Sequence, residues 1–360
     1  MKTIGILTGG GDCPGLNAAI RAVVKTAVGK FGCEIVGFKD GFKGLVKNEF
    51  INIKASEVSG LIDRGGTILG TSSLDNPLDV EWRNQPEKEM MIRQTIKENM
   101  AMHDMEGIII IGGDQTMKTA AVLQTSGINV IGIPKSSAND VAGTDISFGY
   151  MTAVDTATEA LDKLHSTAES HHRVMILEVM GDNSGWIALE AGVAGGADVI
   201  LIPEIEYNIN RVARAVLERK NAGKNFSIII VAQGATPQKK IKCVEDEDEI
   251  EDVKIINLGS TGEIIAHEVQ ELTNIGCEVT VLGSLLRGGR PNTYDRLLST
   301  RLGVRAAENA VEGNYGVAVV VRGRDIVQIP IKEIAEANNR VDPKGEWVRI
   351  SKALGVSFGD

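Results

Sequence analysis

An α/β protein with mostly parallel sheets flanked by helices is what this sequence predicts, and three observations lead there. The run Ile108 to Ile111 is unbroken isoleucine, the pattern of a strand covered on both faces rather than an amphipathic one. Glycine-rich turns, Gly9 to Gly11 and Gly112 to Gly113, follow two apolar strands and lead toward helical spacing. Strand-like and helix-like segments then alternate along 360 residues, and that length with 43% hydrophobic content is enough for two domains sharing a cleft.

In chain order, Thr3 to Leu7 is a short strand, and a helix is expected from about Leu16 to Val28 on the spacing Leu16, Ala19, Ile20, Val23, Val24. The intervening loop lacks both the Gly-Lys-Ser/Thr ending of a P-loop and the GxGxxG of a dinucleotide fold. GCEIVGF, the loop DGFKGL, a helix ending at Asp63, the loop RGGTILGTS and a polar helix from about Glu87 to Met102 follow. Five methionines between Met90 and Met105 read as core filler at helical spacing. After Ile111, Asp114 offers a hard oxygen to Mg²⁺ and Thr116 begins a helix whose N-terminus favours phosphate. A second buried strand, Asn129 to Ile133, carries PKSSAND at its carboxyl end, where open α/β sheets bind ligands, so the two loops are expected to form one phosphate site. Farther on lie a helix from about Met151 to His165, strands at Arg173 to Val179 and Ser227 to Ala232, and the segment KKIKCVEDEDEIEDV. Its seven acids among the eight residues 245–252 predict an exposed, solvated insertion. A strand at Glu278 to Leu282, a helix at Leu297 to Gly313, a strand at Gly316 to Val321 and a helical tail from Ile331 complete the chain.

Composition excludes several classes. A net charge of −10 with no basic stripe argues against a nucleic-acid partner, since phosphate backbones demand clustered Lys and Arg. Cys13, Cys33, Cys243 and Cys277 lack zinc spacing, and His165, His171 and His172 have no carboxylate or fourth ligand at ligand spacing. The chain opens directly into a strand and contains no apolar run approaching the roughly 20 residues of a membrane span, so a cytoplasmic protein is expected.

The segments TGGGDCPGLNAAIRAVV (8–24), DGFKGL (40–45), RGGTILGTS (64–72), GIIIIGGDQT (107–116), PKSSAND (134–140), SHHRVMILEVMG (170–181), GGADVILIPE (195–204) and LRGGRPNTYDR (286–296) resemble, in order, those of the phosphofructokinase family. That family transfers phosphoryl from ATP or pyrophosphate to fructose 6-phosphate. The resemblance implies a two-domain fold with the active-site cleft between a donor and Mg²⁺ domain, 1–149 with 286–336, and an acceptor domain, 150–285 with 337–360. It places donor phosphates near Gly10, Gly11, Ser73, Gln115, Thr116 and Thr119, Mg²⁺ at Asp114 and Asp140, and catalytic positions at Lys135, Ala138 and Asp140. Acceptor positions are Ser136, Asn139, Arg173, Met180, Gly181, Asp182, Gln233, Glu278, Ser284 and Arg287. A homotetramer is implied, in which the Arg173 position completes a neighbour's site. Arg21, Lys25 and Lys224 occupy effector positions for small phosphate ligands.

Several of these positions depart from the family pattern. Ala138 stands where the family keeps the aspartate that accepts the substrate proton, a role typically worth about 10² to 10⁴ in rate. Asp182 and Glu278 replace arginines, Gln233 replaces a glutamate and Ser284 a histidine. Gln115 and Thr119 replace small glycines on the donor side, and Ser73 replaces an arginine. Acids in place of arginines turn an anion pocket against a sugar phosphate. Ordinary fructose 6-phosphate activity is therefore expected to be absent or very weak. Three explanations stand open: a phosphotransferase retuned to an acceptor without a phosphate, with Asp140, Asp182 or Glu278 as base; a silent ligand-sensing homologue; and a natural scaffold with a rewritten site.

Overall fold

A computed structural model of the chain describes residues 1–72, 86–238, 259–334 and 338–360. Ser73 and the acidic segment 245–252 lie outside the described residues. In order, the elements begin with β1 (Thr3–Gly9), α1 (Leu16–Phe31), β2 (Glu34–Phe38), α2 (Phe42–Lys47), β3 (Phe50–Asn52), α3 (Pro86–Met102), β4 (Met105–Gly112), α4 (Asp114–Thr125) and β5 (Val130–Pro134). Then come α5 (Tyr150–His171), β6 (Val174–Val179), α6 (Trp186–Ala194), β7 (Val199–Leu201), α7 (Ile209–Asn221), β8 (Ser227–Ala232), α8 (Thr261–Thr273) and β9 (Cys277–Val281). The chain closes with α9 (Thr293–Glu312), β10 (Val317–Arg322), β11 (Asp325–Pro330), α10 (Ile331–Ile334) and α11 (Glu346–Ala353). Two compact units emerge, Met1–Ala153 with Arg287–Asn339 and Val154–Leu286 with Arg340–Asp360, so the first border falls in the opening turn of α5.

The first unit holds a seven-stranded sheet in the order β11-β10-β5-β4-β1-β2-β3. Its interior pairs are parallel, while β3 and β11 add antiparallel edges. Ile109 and Ile111 pack on α1 and α9 through Leu16, Ile20, Leu298 and Leu302, whereas Ile108 and Ile110 pack on the opposite layer through Ile96, Met117 and Leu123. The isoleucine run thus has both faces covered, which is why no polar residue interrupts it. Helices α1 and α9 approach closely at Gly303, where a Cβ would lie 2.7 Å from the Ala19 carbonyl oxygen. From β1 the chain steps outward to β2, then crosses to β4 on the other side, which makes the gap between β1 and β4 the topological switch point.

In the second unit, β7-β8-β6-β9 form a four-stranded parallel sheet. One face, including Ile176, Ile229 and Val231, packs against Val212 and Val216 of α7 and Ile265 and Val269 of α8. On the other, α6 comes so near that a Cβ on Gly192 would sit 2.7 Å from an Ile200 carbon.

Two expectations fail. Residues 55–63 are turns rather than a helix ending at Asp63, with Gly60 at φ 75° in the left-handed region that breaks a right-handed helix. Met90, Met91 and Met102 are exposed at 65–69%, so they are not core filler. The buried stripe of α3 runs instead through Ile92, Ile96 and Met100, four residues apart, which leaves those three methionines off the packed face.

Candidate active site

The registers Gly9↔Gly112 and Gly112↔Pro134 bring the carboxyl ends of β1, β4 and β5 level with one another. Three loops therefore leave the sheet side by side at the switch point: Gly10–Gly15, Gly113–Asp114 and Lys135–Asp140. The glycines are packed around Thr116, whose buried side chain would lie 3.3 Å from a Cβ on Gly10 and 2.8 Å from one on Gly9. Gly10 also has φ 76°, which favours glycine. Its loop is held by the Gly10 N–H donating to the Ser72 carbonyl at 3.1 Å and by the Thr71 hydroxyl donating to the Gly10 carbonyl at 2.5 Å.

Lys135 is the electrostatic centre of this cluster. Its side chain is buried and its ammonium donates to the Gly11 carbonyl. Burial pushes its pKa below the usual lysine range, nearby Cys13 and Asp140 oppose that shift, and Arg287 reinforces it. Cys13, itself pushed up to about 12 by burial, is a neutral thiol near pH 7, so Asp140 supplies the opposing attraction there. A Cβ on Gly11 would lie 3.5 Å from the Arg287 guanidinium, which puts that predicted acceptor residue against the donor loop.

Helix α4 starts at Asp114 after Gly113, and no side chain caps its N-terminus. Asp114 thus opens the helix rather than capping it, and its two oxygens differ. Oδ2 pairs with Lys118 at 2.7 Å, while Oδ1 is buried with no hydrogen-bond partner among the described residues. An orphaned hard oxygen beside a phosphate-type loop fits Mg²⁺, which keeps several waters and phosphate oxygens instead of demanding a full protein cage. No group of three His, Cys, Asp or Glu side chains placed to hold a metal ion occurs among the described residues. Gln115 is exposed, and the hydroxyl of buried Thr119 donates to the Gln115 carbonyl at 3.1 Å, turned back on its own helix.

In the PKSSAND loop the Ser136 hydroxyl donates to Asp140 Oδ1 at 2.5 Å and accepts the Ala138 N–H at 3.0 Å. Asn139 has φ 53°, held there by its Oδ1 accepting the Ser147 N–H at 2.9 Å. Position 138, between these anchors, offers a methyl group and no proton acceptor.

The second unit splits its predicted acceptor residues. Met180, Gly181, Asp182 and Gln233 follow the paired strand ends Val179↔Ala232, and the Gly234 N–H donates to the Gly181 carbonyl at 3.0 Å. Ser284 stands in the short turn Gly283–Leu286 beyond β9. Glu278, in contrast, pairs in register with Met175 near the amino end of β6, where it meets Arg173 at 3.5 Å. Arg21 and Lys25 stand one turn apart on α1. His165 Nε2–H donates to the Gly195 carbonyl at 2.7 Å, so that ring nitrogen is engaged. Sequence reasoning missed Lys118 and Thr71. The Asp114-to-Lys118 spacing of i,i+4 was a readable signal for the first.

The phosphofructokinase family model matches residues 3–310. The chain belongs to the phosphofructokinase family. It is 45% identical to "ATP-dependent 6-phosphofructokinase 2" of Clostridium perfringens, over 100% of this chain and 99% of that one. A second relative, "Pyrophosphate--fructose 6-phosphate 1-phosphotransferase" of Streptomyces coelicolor, is 41% identical over 99% of each. Among solved structures, phosphofructokinase from Saccharomyces cerevisiae superposes with a TM-score of 0.79 at 27% identity, covering 93% of this chain and 45% of that one. The mixed α/β fold with mostly parallel sheets is that of the family, and the chain is a phosphofructokinase-family phosphotransferase. No helix among the described residues is long and apolar enough to cross a membrane.

Proposed function

We propose that this protein moves a phosphoryl group from ATP or pyrophosphate, with Mg²⁺, to a sugar or polyol hydroxyl, and that its activity on fructose 6-phosphate is absent or very weak. The observation that carries the reading is the contrast at the switch point: Lys135 is buried beneath the glycine loop while Ala138, three residues along the same loop, offers no base. Relatives named for ATP and for pyrophosphate support either donor.

Phosphoryl transfer passes through a loose transition state, so a protein contributes positioning and charge neutralisation. The backbone of Gly10 and Gly11 and the N-terminus of α4 cradle donor phosphates, and Lys135 supplies positive charge at the Gly11 edge. Mg²⁺ held by Asp114 and Asp140 would neutralise the phosphate oxygens. Without a carboxylate at 138, proton removal from the acceptor falls to another group, and Asp182 and Glu278 add negative charge where arginines would favour a phosphorylated sugar. The unit 1–153 with 287–339 is assigned the donor and the other unit the acceptor. A cytoplasmic homotetramer completes the reading, and a monomer in sizing at micromolar concentration would remove Arg173 from the acceptor set.

Titration with Mg-ATP and Mg-pyrophosphate, followed by detection of phosphorylated product from unphosphorylated sugars and polyols, tests the proposal. Donor binding with product supports it, and failure to bind either donor overturns it. Donor binding with no product from any acceptor favours the silent, ligand-sensing reading that Ala138 also permits. Turnover on fructose 6-phosphate near the median enzyme rate of about 10 s⁻¹ would refute the weak-activity claim.

A further inference from the structure

Two of the segments that resemble the family, DGFKGL at 40–45 and RGGTILGTS at 64–72, supply no residue to the chemistry proposed above. In the fold they meet beside the carboxyl end of β1. The Asp40 N–H donates to the Leu69 carbonyl at 2.9 Å, and a Cβ on Gly41 would lie 2.9 Å from the Thr8 carbonyl oxygen, so glycine is needed there for the backbones to approach. Loop 64–72 then ends on the glycine loop, where the Ser72 carbonyl and the Thr71 hydroxyl engage both polar groups of the Gly10 backbone. The conformation of Gly10, at φ 76°, is thus held by a segment 61 residues along the chain.

Two buried side chains hold that segment in turn. Asn17, in the first turn of α1 and 1% exposed, spends its whole amide on it: Nδ2 donates to the carbonyls of Arg64 and Gly65, each at 3.1 Å, and Oδ1 accepts the Ile68 N–H at 2.9 Å. Turning the amide over would set its oxygen against two carbonyl oxygens, so the network fixes its orientation. An asparagine at a helix start usually serves its own helix, yet α1 begins at Gly15 with no side-chain cap and the Asn17 amide reaches outward instead. Thr8, fully buried near the end of β1, donates its hydroxyl to the Gly70 carbonyl at 2.8 Å and accepts from the Thr67 hydroxyl at 3.1 Å.

We infer that Asn17 and Thr8 are positioning residues for donor binding: they fix loop 64–72, that loop fixes Gly10, and both side chains are too buried to reach a ligand themselves. The inference rests on the reading of Gly10 and Gly11 as the phosphate cradle. A cradle made of backbone binds well when its geometry is set before the ligand arrives, because freedom lost on binding subtracts from affinity. Releasing the loop therefore weakens donor binding although no group that meets phosphate has changed.

Titrations of the full-length protein with Mg-pyrophosphate and Mg-ATP, together with amide hydrogen exchange, provide the test at temperatures well below melting. Thr8→Val keeps the shape and loses the hydroxyl, whereas Thr8→Ser keeps the hydroxyl and loses a methyl. Thr8→Val should bind donor about tenfold more weakly, a loss of about 1.4 kcal/mol, while Thr8→Ser should stay within about twofold of the wild type. The Gly10 N–H should exchange faster in Thr8→Val and not in Thr8→Ser. Asn17→Ala should match Thr8→Val, and if it fails to fold the Thr8 pair decides. Gly192→Ala controls for lost stability: its methyl would meet Ile200 in the second unit, at 2.7 Å, and donor affinity should not change. Wild-type donor affinity in Thr8→Val, or a loss in Thr8→Ser as large as in Thr8→Val, would overturn the inference while leaving the donor reading in place. A wild type that bound neither donor would overturn the cradle reading itself, and the positioning role with it.

Discussion

Replacing Lys135 with methionine separates a donor-binding lysine from a structural strut. Lys135 is 6% exposed, and its folded pKa lies below the ordinary value of 10.5 because burial disfavours the charged form. Between the two pKa values the unfolded chain holds a proton that the folded chain has lost, so stability rises with pH through that window. Below the window both states are protonated, and the folded state carries the full cost of a buried ammonium. Lys135→Met removes that cost along with the bond to the Gly11 carbonyl, a charge-assisted interaction of about 1.5–3 kcal/mol. Gly11 is partly exposed, so water can take over its carbonyl. These terms oppose each other, and stability should change by no more than about 1 kcal/mol, a melting shift of a few degrees. Donor affinity should behave differently. Losing about 1.5–3 kcal/mol against a phosphate weakens binding roughly 10- to 150-fold. Thermal melts with Mg-pyrophosphate and Mg-ATP at several pH values read both quantities. In the wild type, donor affinity should decline as pH rises through the lowered Lys135 pKa, and that decline should vanish in the variant. A destabilisation beyond about 3 kcal/mol with an unchanged ligand-induced shift would refute the reasoning and make Lys135 a strut.

Restoring the missing carboxylate by Ala138→Asp should raise fructose 6-phosphate turnover by less than about tenfold, against the 10²–10⁴ a base alone can supply, because Asp182 and Glu278 remain; a coupled assay showing more than about 10² would contradict this. Gly10→Ala should cost about 1 kcal/mol or more in a urea titration, since φ is 76° and the new methyl meets Thr116 at 3.3 Å, and it should weaken donor binding as well. Gly303→Ala should lower stability by about 1–3 kcal/mol by driving a methyl against the Ala19 carbonyl, 2.7 Å away, while leaving the donor affinity of the folded protein intact. An unchanged unfolding midpoint would mean that α1 and α9 can part without loss.

The parts of the fold carried by local pattern could be read from the sequence. Ile108 to Ile111 announced a strand buried on both sides, and the structure puts alternate isoleucines into two separate clusters. The loops that gather at the switch point were legible because each follows an apolar run with glycine or a polar heptapeptide. Edge strands β3 and β11 were missed, since their antiparallel partners give no local signal. The exposed methionines show the limit of reading side-chain type without the packed stripe. Arg287 shows a deeper one: its motif pointed to the acceptor but gave no sign that its guanidinium lies beside Gly11, a placement that depends on two segments at opposite ends of the sequence.

The split in the acceptor set has a consequence for how such a site could be assembled. Arg173 and Glu278 stand at the amino end of the second sheet, and Asp182 and Gln233 at its carboxyl end. Strand β6 has six residues, so at about 3.3 Å per residue the two groups are separated by roughly 20 Å. A hexose phosphate is shorter than that. One copy of this unit therefore cannot bring both groups to one acceptor, and they join only if a second copy supplies the Arg173–Glu278 pair. Mixed oligomers offer a direct check: co-refolding an Asp182→Ala chain with a Glu278→Ala chain should create some sites lacking both acids and others retaining both. If each residue acted within its own chain, the mixture would behave as the simple average of the two parents in acceptor binding, and the assembled-site reading would be wrong.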